Sequence, residues 1–473
     1  MPKVREFLLR LHAPIWLGVL VAAILILRIP SFFEPYYYGD EMIYLTLGQG
    51  IRQGVPLYSH LHDNKPPLIY LLAALAGNLF WFKVALAAFN VASIIFFWKL
   101  ATALFSKKER LIQISTIIFG LLTTLPLLEG NTVNAELLMV VPTLAAFWML
   151  FGKGNVFFAG VLFGLASLFK IPAAFEMPVI LVFWILTSNF KLKKAISLVL
   201  GFFFPLALSL VWYFLAGAGR EYLAAAYLQN VGYVGSWEAS GPSLLARLGL
   251  LGLGSAILFL FRKKLSKQLL FLSLWMFFAL FAVTLSARPY PHYLIQAIAP
   301  ASILFGVLVT QKTLEQSLTV LPLSLFFLIP SFYNFWTYPT TEYYTRFLGF
   351  ISGKSTRTEY FNRFDLKVSR NYQIAEILES VSSPKQKIFV WGGDSPTIYA
   401  LSRRLPPVKY VADYHVFDYS TLPEVAASLA KEKPKIIVVL PEARPFPELR
   451  RLIKESYLLI DNANLAEIWR LSK

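Results

Sequence analysis

The sequence predicts a polytopic α-helical membrane protein with a small C-terminal α/β domain, and three observations lead to this fold class. Of the 473 residues, 57% are apolar and only 15% are charged, with a mean hydropathy of +0.58. Soluble domains carry roughly 25% charged residues. The apolar residues form long runs that short charged segments separate. These runs end near residue 340, beyond which the composition is that of a soluble domain.

The composition excludes several classes of protein. The chain has no cysteine, which rules out disulfides, thiolate catalysis and cysteine-ligated metal centres. A net charge of +17 would suggest a nucleic-acid partner for a soluble protein, but in a membrane protein it reflects topology, and we expect no nucleic acid. The P-loop and the hydrolase motifs G-x-S-x-G and H-E-x-x-H do not occur.

A helix needs about 20 apolar residues to cross a bilayer, and we expect eleven crossings. They lie near residues 13–32, 82–105, 111–128, 135–151, 155–171, 173–188, 195–216, 244–261, 268–286, 293–310 and 318–338. The stretch 67–81 is apolar but short and opens with two prolines, so we expect a re-entrant or surface helix in the outer interface. The first crossing lacks an A-x-A cleavage site, which favours an uncleaved anchor over a signal peptide.

The positions of the charges predict the orientation. With a cytoplasmic N-terminus, the inward segments hold 15 Lys and Arg residues and three acids, Glu6, Glu109 and Glu315. These segments are 1–12, 106–110, 152–154, 189–194, 262–267 and 311–317. The positive-inside rule therefore places the N-terminus inside. An odd number of crossings then places the C-terminus outside the cytoplasmic (inner) membrane, on the periplasmic side.

Residues 340–473 are predicted to form a soluble extracytoplasmic domain that follows a membrane domain of residues 1–339. Strands are expected at 387–393, 407–412, 435–441 and 465–471. Helical patterns separate the strands, and this alternation indicates a small α/β layer domain.

The first outer loop, residues 33–81, holds the densest cluster of ionisable residues. Asp40 and Glu41 open a helical pattern, where an acid is either a functional carboxylate or simply a helix N-cap. Lys65 stands before two prolines. It is either a cation that binds an anionic ligand or a lysine that reaches the lipid head groups.

The same loop contains the string H-L-H-D, formed by His60, His62 and Asp63. Histidines two residues apart are weak metal candidates, because a zinc site needs three or four ligands in a fixed geometry. We therefore predict no metal site here, and dependence on a divalent metal stays open.

A second polar string, R-P-Y-P-H-Y, precedes a late crossing and contains Arg288, His292 and Tyr293. Arg288 is either a ligand-binding cation or a plain charge at the outer interface. Glu129 and Glu136 flank the second outer loop, where they either add carboxylates to a site or simply end helices.

These motifs resemble those of one enzyme family. The first loop contains G-D-E-M-I-Y from Gly39 and D-N-K-P-P-L from Asp63. L-S-A-R-P-Y-P-H-Y-L begins at Leu285, and a weaker match, G-L-A-S-L-F-K, begins at Gly164. Together they resemble the GT-C superfamily of integral membrane glycosyltransferases, most closely the branch of protein O-mannosyltransferases and aminoarabinose transferases.

The resemblance implies an inverting glycosyltransferase that moves a sugar from a polyprenyl-phosphate donor to an acceptor on the outer face of the membrane. It assigns Asp40 as the base that takes the proton of the acceptor hydroxyl, with Glu41 as the second choice. A neutral hydroxyl is a poor nucleophile, which is why a carboxylate within hydrogen-bond reach is needed. The acceptor stays open between protein, lipid and glycan.

The leaving group is a lipid phosphate, on which negative charge develops, and cations must stabilise it. Lys65, which two prolines hold in place, is the first candidate for this role, and Arg288 is the second, with His292 and Tyr293 as hydrogen-bond donors. If Lys65 and Arg288 hold one phosphate, the fold must bring them together.

Two other functions stay open. A transporter or flippase of a lipid-linked saccharide would place ionisable residues in mid-membrane helices and show inverted repeats. The acids found here lie instead in outer loops, which favours an enzyme. A scaffold whose outer domain binds partners is the third reading, and loss of transfer on substitution of Asp40 would exclude it.

The charge distribution generates a topology prediction. A single cysteine placed in the tail beyond residue 340 of this cysteine-free chain should react with an impermeant thiol reagent added to intact cells. A cysteine at position 108 should be protected. Labelling of position 108 instead would contradict the predicted orientation.

Overall fold

The computed structural model describes residues 13–231, 242–286 and 288–472. The predicted inward segment 1–12, which includes Glu6, lies outside the described residues. The helices are α1 (Ile15–Arg28), α2 (Gly39–Arg52), α3 (Leu68–Ala76), α4 (Leu79–Leu104), α5 (Glu109–Leu122), α6 (Ala135–Phe151), α7 (Val156–Phe169), α8 (Glu176–Leu186), α9 (Leu192–Leu215), α10 (Gly219–Leu223), α11 (Leu244–Phe261), α12 (Lys267–Val283), α13 (Ile295–Thr310), α14 (Leu314–Leu318), α15 (Val320–Phe332), α16 (Thr340–Ile351), α17 (Arg357–Asn362), α18 (Val368–Val381), α19 (Ser395–Ser402), α20 (Asp413–Tyr419), α21 (Leu422–Glu432) and α22 (Pro447–Ser456). The strands are β1 (Ile388–Trp391), β2 (Ile436–Val439), β3 (Tyr457–Ala463) and β4 (Ala466–Leu471).

Six helical segments within the described residues are long and apolar enough to cross a membrane, by length and composition. They are Ile15–Phe33, Leu79–Leu104, Leu192–Leu215, Leu244–Phe261, Pro291–Thr310 and Leu314–Phe332. Shorter apolar helices lie at Ala135–Phe151, Val156–Phe169, Ile171–Leu186 and Lys267–Val283. Helix α5 belongs to neither group but lies at the predicted crossing 111–128. A helix therefore lies at each of the eleven predicted crossings. A helical protein of membrane character is therefore confirmed, while the number of crossings and the orientation stay predictions.

The stretch 67–81 contains the nine-residue helix α3. At 1.5 Å per residue it is about 14 Å long, roughly half the thickness of the hydrocarbon core. It stops at Gly77, whose φ of +72° lies in the left-handed region that favours glycine. Helix α3 is too short to cross, which agrees with the predicted position in the interface.

The chain divides into two compact units. The first unit consists of Met1–Ser31, Lys83–Val211 and Tyr227–Thr340, and the second of Phe32–Phe82, Trp212–Ala226 and Thr341–Lys473. The second unit thus combines the first loop with the tail. The predicted division into residues 1–339 and 340–473 stays a prediction.

In the first unit, helices α7 and α9 pack with their backbones in close approach. A Cβ on Gly160 would lie 2.2 Å from the carbonyl oxygen of Leu198, and one on Gly164 would lie 2.3 Å from that of Phe202. The G-x-x-x-G spacing places both glycines on one face of α7. Only residues without a side chain allow this contact.

A buried arginine connects three helices of the first unit. Arg28, at the end of α1, is 1% exposed and donates from Nε to Asn90 Oδ1 at 3.0 Å. Its Nη2 donates to the Thr123 carbonyl at 3.0 Å, and Asn90 donates to the Thr123 hydroxyl. A buried charge is tolerated only with such partners.

The second unit contains a four-stranded sheet with the strand order β1-β2-β4-β3. Strands β1 and β2 are parallel, with Ile388 opposite Ile436, whereas β4 pairs antiparallel with both β2 and β3. Every residue of β1 and β2 is buried, which explains their uninterrupted apolar sequences.

Two details of the predicted tail are wrong. Residues 407–412 form no strand, and only an isolated bridge joins Tyr410 to His62. Strand β3 was not predicted, because as the edge strand it buries only its two end residues and lacks an apolar alternation.

Helices α2 and α3 of the second unit pack through a glycine. A Cβ on Gly48 would lie 2.6 Å from the backbone nitrogen of Ala74 and 2.7 Å from the carbonyl carbon of Ala73. Backbone atoms are not displaced as readily as side-chain ends, so a side chain at this position must separate the helices.

This contact generates a stability prediction. Gly48→Ala should destabilise the protein by about 1–3 kcal/mol, because overpacking exceeds the gain of about 1 kcal/mol in helix propensity. Gly249→Ala in α11 is the matched control, since no atom lies within 4 Å of its added Cβ. Thermal unfolding followed by tryptophan fluorescence in detergent measures both variants. Wild-type stability of Gly48→Ala would contradict the packing described here.

Candidate active site

The first loop of the second unit brings a carboxylate and a lysine together. Lys65 Nζ lies 3.5 Å from Asp40 Oδ2, and the two side chains are 20% and 33% exposed. The Tyr44 hydroxyl donates to the same carboxylate oxygen at 3.0 Å, and Lys65 Nζ lies 5.1 Å from the centre of the Tyr44 ring. Asp40 and Tyr44 are four residues apart on α2, which places them on one face of the helix. The pair is accessible to a ligand.

The alternative interpretation of Asp40 as a helix N-cap is wrong. Helix α2 begins at Gly39 with Tyr38 as its N-cap residue, so Asp40 lies in the first turn. There its negative charge still interacts favourably with the positive end of the helix dipole. Glu41 is also in this turn but is fully buried, unlike Asp40. Of the two acids, only Asp40 is partly exposed.

Two buried tyrosines hold the main chain of Lys65. The Tyr58 hydroxyl donates to the Lys65 carbonyl at 2.8 Å, and the Lys65 N–H donates to the Tyr70 hydroxyl at 3.2 Å. Tyr70 in turn donates to Asp63 Oδ2 at 2.8 Å. Both tyrosines have no exposed surface. The position of Lys65 is therefore set by the interior of the unit rather than by its own side chain.

Tyr58 adopts a strained backbone conformation, with a φ of +70°. A non-glycine residue in this region costs about 1–2 kcal/mol. Its ring packs against Tyr213 and Tyr222, with ring centres 5.0 Å away in each case. This packing retains the strained turn that precedes Lys65.

The H-L-H-D string divides between the surface and the interior. His60 lies near the surface beside Ser59, whereas His62 and Asp63 are buried at 2% and 1% exposure. Asp63 Oδ1 faces His415 Nε2 at 3.6 Å. No group of three or more His, Cys, Asp and Glu residues in the described ranges is arranged to hold a metal ion.

Burial lowers the pKa of His62 to about 3, although the nearby charge of Asp63 acts to raise it. The ring of His62 is surrounded by Tyr410, Tyr419 and His415, with ring centres 4.8–6.1 Å away. His62 is therefore a neutral, buried ring in the folded protein.

A second cluster of ionisable residues lies inside the first unit, at the ends of its helices. His292 Nδ1 bonds to Glu129, and its Nε2 lies 3.7 Å from Glu136 Oε1. Lys170 pairs with Glu136 and lies over the Tyr293 ring, 4.0 Å from its centre. This cluster thus joins the motif that begins at Gly164, the motif that begins at Leu285 and the two predicted glutamates. Such buried charges are tolerated because each faces an opposite charge or a donor.

In the string R-P-Y-P-H-Y, His292 and Arg288 have different surroundings. His292 is buried between two carboxylates, an arrangement that suits holding a structure more than binding an anion. Arg288 is exposed. Its predicted role on a phosphate, and those of His292 and Tyr293, stay predictions.

Sequence reasoning did not single out four residues of these clusters: Tyr44, Tyr58, Tyr70 and His415. Tyr44 was detectable, because its spacing of four residues from Asp40 in a predicted helix places both on one face. The others were not, since an aromatic residue in an apolar loop has no pattern that separates a structural hydroxyl from ordinary packing.

The buried His62 generates a pH prediction. Its folded pKa of about 3 lies below the unfolded value of 6.5, so the unfolded chain binds more protons between these values. The contribution to stability is present above pH 6.5 and is lost as the pH falls. We expect a loss of about 2 kcal/mol between pH 7 and pH 5 from this residue.

Thermal unfolding at both pH values measures this effect. His62→Gln should reduce the drop in midpoint, whereas the control His60→Gln, two residues away, should keep the full drop. Equal pH dependence of His62→Gln and the wild type would refute the assignment.

No protein-family model and no curated protein matches the sequence. Among solved structures, the chain is similar to ArnT from Cupriavidus metallidurans bound to undecaprenyl phosphate, with a TM-score of 0.60 at 14% identity. The apo state of that protein gives a TM-score of 0.59 at 13% identity, and both comparisons cover 96% of this chain and 97% of the other.

The Archaeoglobus fulgidus oligosaccharyltransferase tethered with an acceptor peptide covers 89% of this chain and 69% of its own, at 13% identity. Its TM-score of 0.41 is too low to support an argument. ArnT is an aminoarabinose transferase of the GT-C type. The predicted resemblance is confirmed at the level of the fold, which this chain shares with ArnT.

Proposed function

We propose that the protein is an integral membrane glycosyltransferase that takes a sugar from a polyprenyl-phosphate donor. The observation that carries this proposal is the accessible pair of Asp40 and Lys65, held on a buried scaffold. The fold shared with ArnT, whose structure contains undecaprenyl phosphate, supports a lipid-phosphate donor. The apolar helices and the charge distribution support a membrane protein with its site on the outer face.

The reaction is a single displacement. The hydroxyl oxygen of the acceptor attacks the anomeric carbon as the bond from that carbon to the phosphate oxygen breaks, which inverts the configuration. Asp40 takes the hydroxyl proton. The electron pair of the broken bond leaves with the polyprenyl phosphate, and the Lys65 ammonium stabilises the charge that develops there.

The substrate must separate the two side chains. Nucleophile and reacting carbon lie about 3–3.5 Å apart before attack, and the base and the phosphate lie on opposite sides of that carbon. Asp40 and Lys65 are only 3.5 Å apart, so the reacting centre does not fit between them as they stand. We therefore propose that donor binding draws the flexible Lys65 side chain towards the phosphate and exposes Asp40 to the acceptor.

The residues of the first unit enter the proposal in two ways. Arg288 is exposed, which is compatible with a second cation on the phosphate. His292 is proposed to hold the segment after Arg288 through its two carboxylate neighbours, Glu129 and Glu136. A direct hydrogen bond from His292 to an anion is disfavoured, because both ring nitrogens already face carboxylates.

The proposal predicts different effects for the two members of the pair. Asp40→Asn should lower transfer from undecaprenyl-phosphate hexoses by about 10²-fold or more, because the amide does not accept the proton. Binding of undecaprenyl phosphate should persist. Lys65→Met should weaken that binding, and both quantities are measured on purified protein in detergent.

Glu41→Gln is the control for loss of a carboxylate in the same turn, and it should keep transfer if it folds. Near-normal transfer by Asp40→Asn together with an inactive, folded Glu41→Gln would move the base by one residue. A wild-type protein that translocates the lipid-linked sugar without forming a glycoside would instead indicate the flippase.

A further inference from the structure

The second unit contains a pocket of about 410 Å³ that Asp40 and Lys65 do not line. Its walls are mostly aromatic and come from four separate parts of the chain. Rings are contributed by Phe32, Phe33, Tyr36, Phe80, Phe361 and Tyr372, among others. Pockets of this volume and composition hold small organic ligands, and a free phosphate ion would fill only a small part of it.

The charges on the pocket favour an anion. Arg357 and Arg403 line it and are exposed, and neither makes an ion pair with a carboxylate in the described part of the chain. The single acidic lining residue, Glu34, is buried and accepts a hydrogen bond from the Tyr343 hydroxyl at 2.5 Å. The Arg357 guanidinium also lies over the Phe361 ring, 4.9 Å from its centre. Two exposed cations therefore line the pocket, together with one carboxylate that is already hydrogen-bonded.

The pocket also lies at the ends of two membrane helices. Phe32 and Phe33 end the apolar segment Ile15–Phe33, and Phe80 belongs to the first turn of Leu79–Leu104. Both segments are long enough to cross a bilayer. Phe33 and Phe80 are 47% and 48% exposed. Half-exposed aromatic rings at such helix ends are typical of the lipid–water interface.

We propose that this pocket binds the phosphate head group of an anionic phospholipid, with Arg357 and Arg403 on the phosphate and the aromatic rings against its glycerol and upper acyl chains. Arginine suits this ligand because its planar guanidinium binds phosphate oxygens through two parallel hydrogen bonds. The volume and the position at helix ends favour a lipid over a soluble anion, and the excess of cations favours an anionic lipid. This site is independent of the proposed transfer reaction.

Binding at this site has a consequence for the second unit. The walls include residues before α2, residues at the start of α4 and residues of α17 and α18. A ligand that contacts all of them stabilises the folded unit through binding linkage. Dioleoyl-phosphatidylglycerol should therefore raise the thermal unfolding midpoint more than dioleoyl-phosphatidylcholine does.

The test is a titration of detergent-purified full-length protein with these two lipids, read out by native mass spectrometry. The double variant Arg357→Gln with Arg403→Gln should bind phosphatidylglycerol about tenfold more weakly or worse, because it loses both charge-assisted contacts. Its affinity for phosphatidylcholine should fall less, because the choline ammonium already offsets the charge of that phosphate. Arg363→Gln is the matched control, since Arg363 is an exposed arginine just after α17 that does not line the pocket.

Three results would overturn the proposal. The first is wild-type affinity of the double variant for phosphatidylglycerol, and the second is an equal loss in Arg363→Gln. The third is displacement of phosphatidylglycerol by inorganic phosphate or by undecaprenyl phosphate at equal concentration, which would assign the pocket to a soluble anion or to the donor. Unfolding midpoints in lipid-free detergent verify that the double variant is folded, which is expected because both side chains are exposed.

Discussion

The position of the Lys65 backbone is the constraint on which the candidate site depends. Its N–H and its carbonyl each bond to the hydroxyl of a buried tyrosine, so the residue cannot shift without leaving polar groups in the interior unpaired. One of these tyrosines, Tyr58, keeps a left-handed backbone conformation at a cost that aromatic packing offsets. Within Lys65, the part that can move is then the side chain. A fixed backbone with a movable side chain suits the proposed reaction, in which the Lys65 ammonium moves towards the phosphate of the donor.

The same rule, that buried charge needs a partner, organises the first unit. Arg28 connects three helices through Asn90 and Thr123. His292 and Lys170 are held by Glu129 and Glu136 at helix ends. These contacts are specific in a way that apolar helix packing is not, because lipid and leucine offer a helix nearly equal surroundings. They therefore decide which helix ends lie together, and so where the late polar string is placed.

Much of the fold and part of the site were predictable from sequence. A helix lies at each predicted crossing, and α3 is short, as its two prolines and the charge count indicated. Strands β1 and β2 were evident because both faces are buried and their sequences are wholly apolar. The edge strand β3 was missed because it buries only its two end residues and shows no apolar alternation, although its partner β4 follows it directly in the chain. Residues 407–412 were mispredicted because their one bridge, from Tyr410 to His62, joins residues distant in sequence and no strand forms there.

The sequence by itself determined the class of protein, because long apolar runs and short basic segments are local properties of the chain. It also indicated Asp40 and Lys65, through motifs within one loop. Only the tertiary structure decided that Lys65 faces Asp40, that Glu41 is buried, and that His292 bonds to Glu129, 163 residues away. It alone formed the aromatic pocket, whose walls come from segments more than 300 residues apart. Contacts of this kind depend on how packed backbones meet, and no short stretch of sequence carries that information.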